Sequence, residues 1–262
     1  MRRRFFVDKF AGKAATLQGE TAEHLGRVLR AEAGQLYELS DGTSVWLGRV
    51  ERVALAKRGD SRVEFALVEP IAAREPRLKI VLLAALVKFD RFEWCLEKAT
   101  ELGAAEIVPL AAARSDKALI AAAEKRRVRW ERILLESSQQ SRRLRPPILR
   151  CGEPIQRGRA EEHAAFIPRT AFSNCASDWK ILLSERPDAT PLRDVLERPE
   201  HADGLNAQHS VALAIGPEGG WTDDELASAR ANGFTEVSLG ENILRMETAV
   251  IAAMAIVGFA LG

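Results

Sequence analysis

Two segments near the end of the chain restrict its fold most: residues 211–215 running into Gly216-Pro217-Glu218-Gly219-Gly220, and residues 235–239 running into Gly240-Glu241-Asn242-Ile243-Leu244-Arg245. Each is a short strand, the first of them wholly apolar, that ends in a glycine-bearing turn and then a helix start. That arrangement leaves backbone N–H and C=O groups free at strand ends, where open α/β sheets bind ligands. Two such loops in succession predict one pocket.

The loop residues narrow what the pocket can take. Gly216, Gly219 and Gly220 let backbone approach a flat ligand closely, and Pro217 removes a donor and stiffens the turn. Thr222 and Glu225 form a Thr-x-x-Glu capping box, so a helix is expected from Asp223 to a stop at Gly233. Neither phosphate-binding glycine fingerprint occurs, and Glu218 would repel a phosphate. Residues 210–262 carry two arginines against seven carboxylates, minus five net, which suits an uncharged or cationic ligand.

Alternation organises the rest. Residues 1–72 hold short strand-like segments at 35–40, 44–50 and 62–68, with Asp41-Gly42 as a hairpin signal, and read as a small β-barrel or sandwich. Residues 72–76 form a linker. Residues 80–87 are then a continuous apolar run, as in a buried parallel strand, and open a second domain over 77–262. There, strands at 105–110, 180–184, 211–215 and 235–239 alternate with helices, giving an α/β fold with a parallel sheet. Asp90 with Glu93 is expected to cap a helix ending at Leu102, a long helix to cover 122–143, and a last one 246–261. Residues 155–178 and 186–209 show no pattern. By periodicity alone this is an ordinary doubly wound sheet, since knots are nearly absent from proteins.

Composition excludes several classes. Cys95, Cys151 and Cys175 are odd in number and lack metal-ligand spacing, which points to reduced packing residues in the cytoplasm and to no metal site. The basic start is interrupted by Asp8 and Lys9, so no signal peptide is expected. The most apolar stretch, 249–261, is thirteen residues long. That is far short of the roughly twenty a bilayer needs, so no membrane association is expected. The net charge of +1 hides an asymmetry: residues 121–150 hold nine basic side chains against three glutamates. A basic helix face is often merely solvated. Beside an acidic ligand segment, and with Arg2, Arg3, Arg4, Arg27 and Arg30 at the front, this run points to nucleic acid. Arg114, Arg142 and Arg143 join the expected RNA contacts.

Ile-Gly-Pro-Glu-Gly-Gly followed by Leu-Gly-x-x-Ile-Leu-Arg-x-Glu-Thr-Ala resembles the C-terminal signature of the RsmE-type 16S ribosomal RNA uridine methyltransferases of the SPOUT superfamily. The resemblance extends through Lys98–Gly103, Ile107–Leu110, Arg114-Ser115, Glu136–Arg142 and His24–Arg30, and so covers essentially the whole chain. It implies a PUA-like RNA-binding barrel at 1–72, a trefoil-knotted SPOUT domain at 77–262, S-adenosylmethionine as methyl donor, a homodimer, and 16S ribosomal RNA within the small subunit as substrate. By the same resemblance the donor lies among Leu183, Ser184, Glu185, Ile215, Gly216, Glu218, Gly219, Leu239, Gly240, Ile243, Leu244, Arg245 and Thr248. Ser184 stands where the family often has His.

Methylation at N3 of uracil needs an unpaired base and a group that stabilises the developing anion, because the neutral imide is a poor nucleophile. Arg245 is the expected stabiliser, with a helix-start ion pair to Glu247 or Glu218 as the alternative. Glu218 is a second catalytic expectation, against a role in holding its own loop. Three other readings stay open: a SPOUT enzyme acting on another base or on ribose, an RNA-binding protein without activity, and a metal-dependent hydrolase, which the absence of paired His or Cys ligands disfavours.

Overall fold

The computed structural model describes residues 3–56, 60–73, 75–151, 172, 173, 175–197 and 209–262. The chain divides into two compact units, Met1–Glu75 with Ser138–Pro146, and Pro76–Ser137 with Pro147–Gly262.

The first unit contains β1 (Arg4–Phe6), β2 (Ala14–Gln18), α1 (Gly19–Glu23), a π-helical turn at His24–Val28, β3 (Leu36–Ser40), β4 (Val45–Ala54) and β5 (Arg62–Ile71). Its sheet runs β1-β3-β4-β5-β2, antiparallel except for β1 with β3. Two register shifts in the β4–β5 ladder, at Leu47/Gly48 and Val50/Arg52, add local twist. Gly48 is needed at the first, because a Cβ there would stand 2.5 Å from a Leu39 methyl. Phe5, Leu39, Val50, Val63 and Phe65 fill the core, with Tyr37 edge-on to both phenylalanines. The expected hairpin forms at Asp41, whose Oδ1 accepts from the backbone N–H groups of Thr43 (2.9 Å) and Ser44 (2.8 Å).

The second unit is built on seven parallel strands in the order β10-β12-β9-β11-β6-β7-β8. They are β6 (Leu78–Ala85), β7 (Ala104–Leu110), β8 (Ile148–Leu149), β9 (Trp179–Leu183), β10 (Thr190–Pro191), β11 (His209–Ile215) and β12 (Thr235–Ser238). The central strands are apolar on both sides because both faces are covered. Ile80, Leu82, Leu213 and Ile215 face one core with α2 (Phe89–Glu101) and α7 (Met246–Leu261). Val81, Leu83, Ala212 and Ala214 face another with α6 (Asp223–Ala231), through Leu226 and Ala229. A short α5 (Leu192–Leu196) follows β10.

Two helices differ from expectation. The N-cap of α2 is Lys88 and no side chain caps it, because Glu93 instead takes Arg126 at 3.4 Å and Arg129 at 2.7 Å. The long helix is three pieces: α3 (Lys117–Ala122), a 3₁₀ turn at Ala123–Arg126, and α4 (Arg127–Gln140). Its start reaches back to Lys117 because Asp116 caps it, Oδ1 accepting from Ala118 N–H at 2.7 Å.

Candidate functional site at the strand ends

In the second unit, β9, β11 and β12 end level with one another: Leu183 pairs with Ile215 on one side and with Val237 on the other. Beyond these carboxyl ends lies a cavity of about 580 Å³. Leu183, Ser184, Glu185, Ile215, Gly216, Glu218, Leu239, Gly240, Ile243 and Leu244 all line it. Gly219, Arg245 and Thr248 do not line it; Arg245 is the N-cap of α7 and both it and Thr248 are exposed.

The loop after β11 is held from four directions. Gly220, at φ +69°, donates its N–H to the Pro217 carbonyl at 2.8 Å and closes a tight turn. Gly216 has the Trp221 ring against it: a Cβ there would stand 3.0 Å from the indole. The capping box forms at α6, Thr222 N–H donating to Glu225 at 2.8 Å and Glu225 N–H to Thr222 Oγ1 at 3.3 Å. From the segment after β7, Ala113 N–H donates to the other oxygen of the same Glu225 (2.7 Å), and Arg114 Nη1 donates to the Gly219 carbonyl (2.6 Å). Arg114 therefore braces the glycine turn, its aliphatic carbons 3.4 Å from where a Gly219 Cβ would stand.

Trp221, Arg186, Pro187 and Met246 also line the cavity and were not foreseen. Trp221 carries a local signal, an aromatic directly after Gly219-Gly220; Arg186 and Met246 carry none. Charges at the wall are unequal. Glu185, Glu218 and Glu241 line it together with Arg186, which is itself paired with Asp188 at 3.2 Å and Asp223 at 2.9 Å. Glu218 is ion-paired with Arg91 of α2. The Arg245 guanidinium makes no ion pair to Glu218 or Glu247 among the described residues. Behind the wall, Cys95 Sγ lies 3.4 Å from Met246 Sδ, and burial, then the charge of Glu247, pushes the Cys95 thiol up to about 12.

The expected RNA-contact arginines divide. Arg3 and Arg30 are exposed, Arg30 in the left-handed region at φ +51°. Arg27 pairs with Glu23 (2.8 Å) and donates to the Ala56 carbonyl (2.8 Å). Arg4 and Arg142 are both drawn to the buried Glu38, at 2.9 and 3.6 Å. Half-buried Arg143 donates to the Arg145 carbonyl at 3.3 Å, and burial, then the Arg145 charge, lowers its guanidinium to about 10. Arg2 lies outside the described residues. Much of the basic run is thus paired: Arg127 with Glu131, Arg132 with Glu136, and Arg150 with the buried Glu106 at 2.6 Å. Among the described residues no group of three His, Cys, Asp or Glu could hold a metal ion. Among the described residues no helix is long and apolar enough to cross a membrane.

A family model described as an RNA methyltransferase domain matches residues 74–258. A ribosomal RNA small subunit methyltransferase E of Synechocystis is 33% identical, over 92% of this chain and 71% of its own. The protein of that name from Mycobacterium bovis is 28% identical over 97% of this chain and 90% of its own. Among solved structures, that of a ribosomal RNA small subunit methyltransferase E from Neisseria gonorrhoeae bound to S-adenosyl methionine superposes with a TM-score of 0.77, at 27% identity, over 99% of this chain and 98% of its own. A putative methyltransferase from Legionella pneumophila, in complex with the same cofactor, gives a TM-score of 0.76 at 28% identity, over 99% of this chain and 98% of its own. On the extent of these matches, the chain belongs to the ribosomal RNA small subunit methyltransferase E family.

Proposed function

We propose that the protein transfers a methyl group from S-adenosylmethionine to N3 of one uridine in 16S ribosomal RNA. The observation that carries this is the cavity closed by the 216–220 and 239–245 loops at the ends of three adjacent parallel strands. It fits the donor: Gly216 lets the turn pack directly on the Trp221 ring at the cavity wall, and that wall carries three carboxylates against one arginine, the sign a sulfonium prefers. When bound, the donor supplies an electrophilic methyl group.

The residues of the chain do the rest. Leu239, Ile243, Leu244 and Pro187 offer apolar faces to a flat base, and the backbone of Gly216 and Gly240 offers hydrogen bonds. Ile243, 74% exposed, gains burial when the cavity fills. Gly219 stiffens the turn through Arg114, and Thr248 sits in the first turn of the α7 helix behind Arg245. Arg245, exposed and without an ion pair to either neighbouring glutamate, is the group placed to stabilise negative charge on an incoming uracil. Glu218, held by Arg91, is a loop anchor rather than a free base.

The remaining assignments follow the same reading. Residues 1–72 act as a PUA-like barrel, supported by the twisted five-stranded sheet, with Arg3, Arg27 and Arg30 meeting RNA. Residues 77–262 form a SPOUT domain with a trefoil knot, a reading supported by the parallel sheet of the second unit. The protein acts as a homodimer in the cytoplasm: α7 presents Phe259, 93% exposed, and Ile256 to a second copy, and the three cysteines are free.

Calorimetry with S-adenosylmethionine, followed by methyl transfer to small subunits from a strain lacking the protein, tests this. A donor-dependent gain of the mass of one methyl group in place of a hydrogen, on a single uridine at N3, is expected on mapping the RNA. Methylation at another base or at ribose would replace the substrate assignment, and no donor binding would remove the function.

A further inference from the structure

Arg91 stands on α2, behind the cavity and outside its lining, yet it meets both of the segments that form the cavity wall. Its guanidinium is ion-paired with Glu218 in the turn after β11, and its Nε lies 4.0 Å from the Glu247 carboxylate in the first turn of α7. Glu247 is nearly out of water: its side chain is 12% exposed, and its Oε2 is buried with no hydrogen-bond partner among the described residues. The neighbouring Cys95 adds no second negative charge beside it, since burial and then the Glu247 charge itself keep the thiol protonated.

Two carboxylates therefore converge from the two ligand-wrapping segments, with one cation between them. A buried carboxylate that loses its partner is left uncompensated, and like charges at this range push their segments apart. The sequence hides this relationship, because Arg91 precedes Glu218 by 127 positions and lies in no glycine motif.

We propose that Arg91 is a positioning residue for donor binding, clamping the 216–220 turn to the start of α7 and so fixing the spacing of the cavity's two glycine-bearing walls. This role rests on the reading of the cavity as the S-adenosylmethionine site. Arg91 touches neither donor nor RNA; it acts through Glu218 and Glu247.

The test is calorimetry of the full chain with S-adenosylmethionine and, separately, S-adenosylhomocysteine, on the wild type, R91A, R91K, E218Q and R91A/E218Q, with melting curves alongside. R91A is expected to bind both ligands roughly tenfold more weakly, as expected for a partly buried charge pair that has lost one member. R91K should keep most of the affinity, and R91A/E218Q should recover part of the loss, because the repelling carboxylate is gone. A merely structural arginine would show equal losses in R91A and R91A/E218Q, and that result overturns the role, as does wild-type affinity in R91A. If R91A does not fold, R91Q in the same cycle decides by the same criterion. A wild-type protein that binds neither ligand refutes the donor site itself, whereas wild-type binding with an unaltered R91A refutes only the clamp.

Discussion

Trp221 donates its indole N–H to the Leu183 carbonyl at 2.9 Å while its ring covers Gly216, so one side chain ties the end of β9 to the turn after β11. Both partners are buried. Trp221→Phe keeps a ring but leaves that carbonyl without its donor, at a cost of about 1–3 kcal/mol. Urea denaturation measures the loss, and a variant as stable as wild type would show that the bond contributes nothing.

Arg245→Ala separates chemistry from donor binding. Removing a group that stabilises developing charge is expected to lower turnover roughly a hundredfold or more. Because Arg245 does not line the cavity, donor affinity should change far less. Single-turnover rates and calorimetry on the same preparation check both halves; a collapse of affinity with unchanged turnover would move Arg245 into the donor site.

Thr222→Ala removes the side-chain half of the capping box at the start of α6. The expected cost is about 1 kcal/mol. Thr222→Ser, which keeps the acceptor, should recover most of it in thermal melts.

The elevated thiol of Cys95 makes stability pH-dependent in a defined window. A group whose folded pKa lies above its unfolded one favours the native state at low pH, and that advantage is lost as pH rises from 9.0 towards about 12. Wild-type melting temperature should therefore fall more steeply above pH 9 than that of Cys95→Ala, after correction for the methyl-sized cavity the variant leaves. Parallel curves would show that Cys95 plays no part in the alkaline transition.

Arg30→Asn tests the proposed RNA contact of the first unit without straining its backbone, because Asn tolerates the left-handed conformation held there. Losing one phosphate contact should flatten the slope of log affinity against log salt by roughly 0.7 on single-stranded RNA. Arg142→Glu should instead destabilise the unit, since it sets a second negative charge beside the buried Glu38.

What sequence makes legible here is local. The capping box at Thr222 and Glu225 reads correctly because both partners lie within one helical turn, β11 because the apolar run Val211–Ile215 meets glycine, and α7 because a long apolar stretch follows Arg245. Pairings across long separations do not read. Glu93 leaves the cap of α2 for two arginines more than thirty positions away, and Glu38 and Glu106 absorb charge from a basic run whose own glutamates are too few. Within the cavity the strand ends and glycines were visible, while Trp221 and Arg91 act through partners 38 and 127 positions distant, separations that no periodicity encodes.

The segment Ser138–Pro146 belongs with the first 75 residues, where the Ser40 hydroxyl donates to the Leu144 carbonyl at 2.6 Å and Arg4 donates to the Arg142 carbonyl at 2.7 Å. A chain leaving the ribosome in N-to-C order has made all five strands of that sheet by Ile71, yet must wait for Pro146 before their last lodger arrives. An expression fragment cut at the linker would carry Glu38 with one of its two arginines missing, so the smallest faithful version of this unit requires a graft of the distant nonapeptide, not a shorter gene.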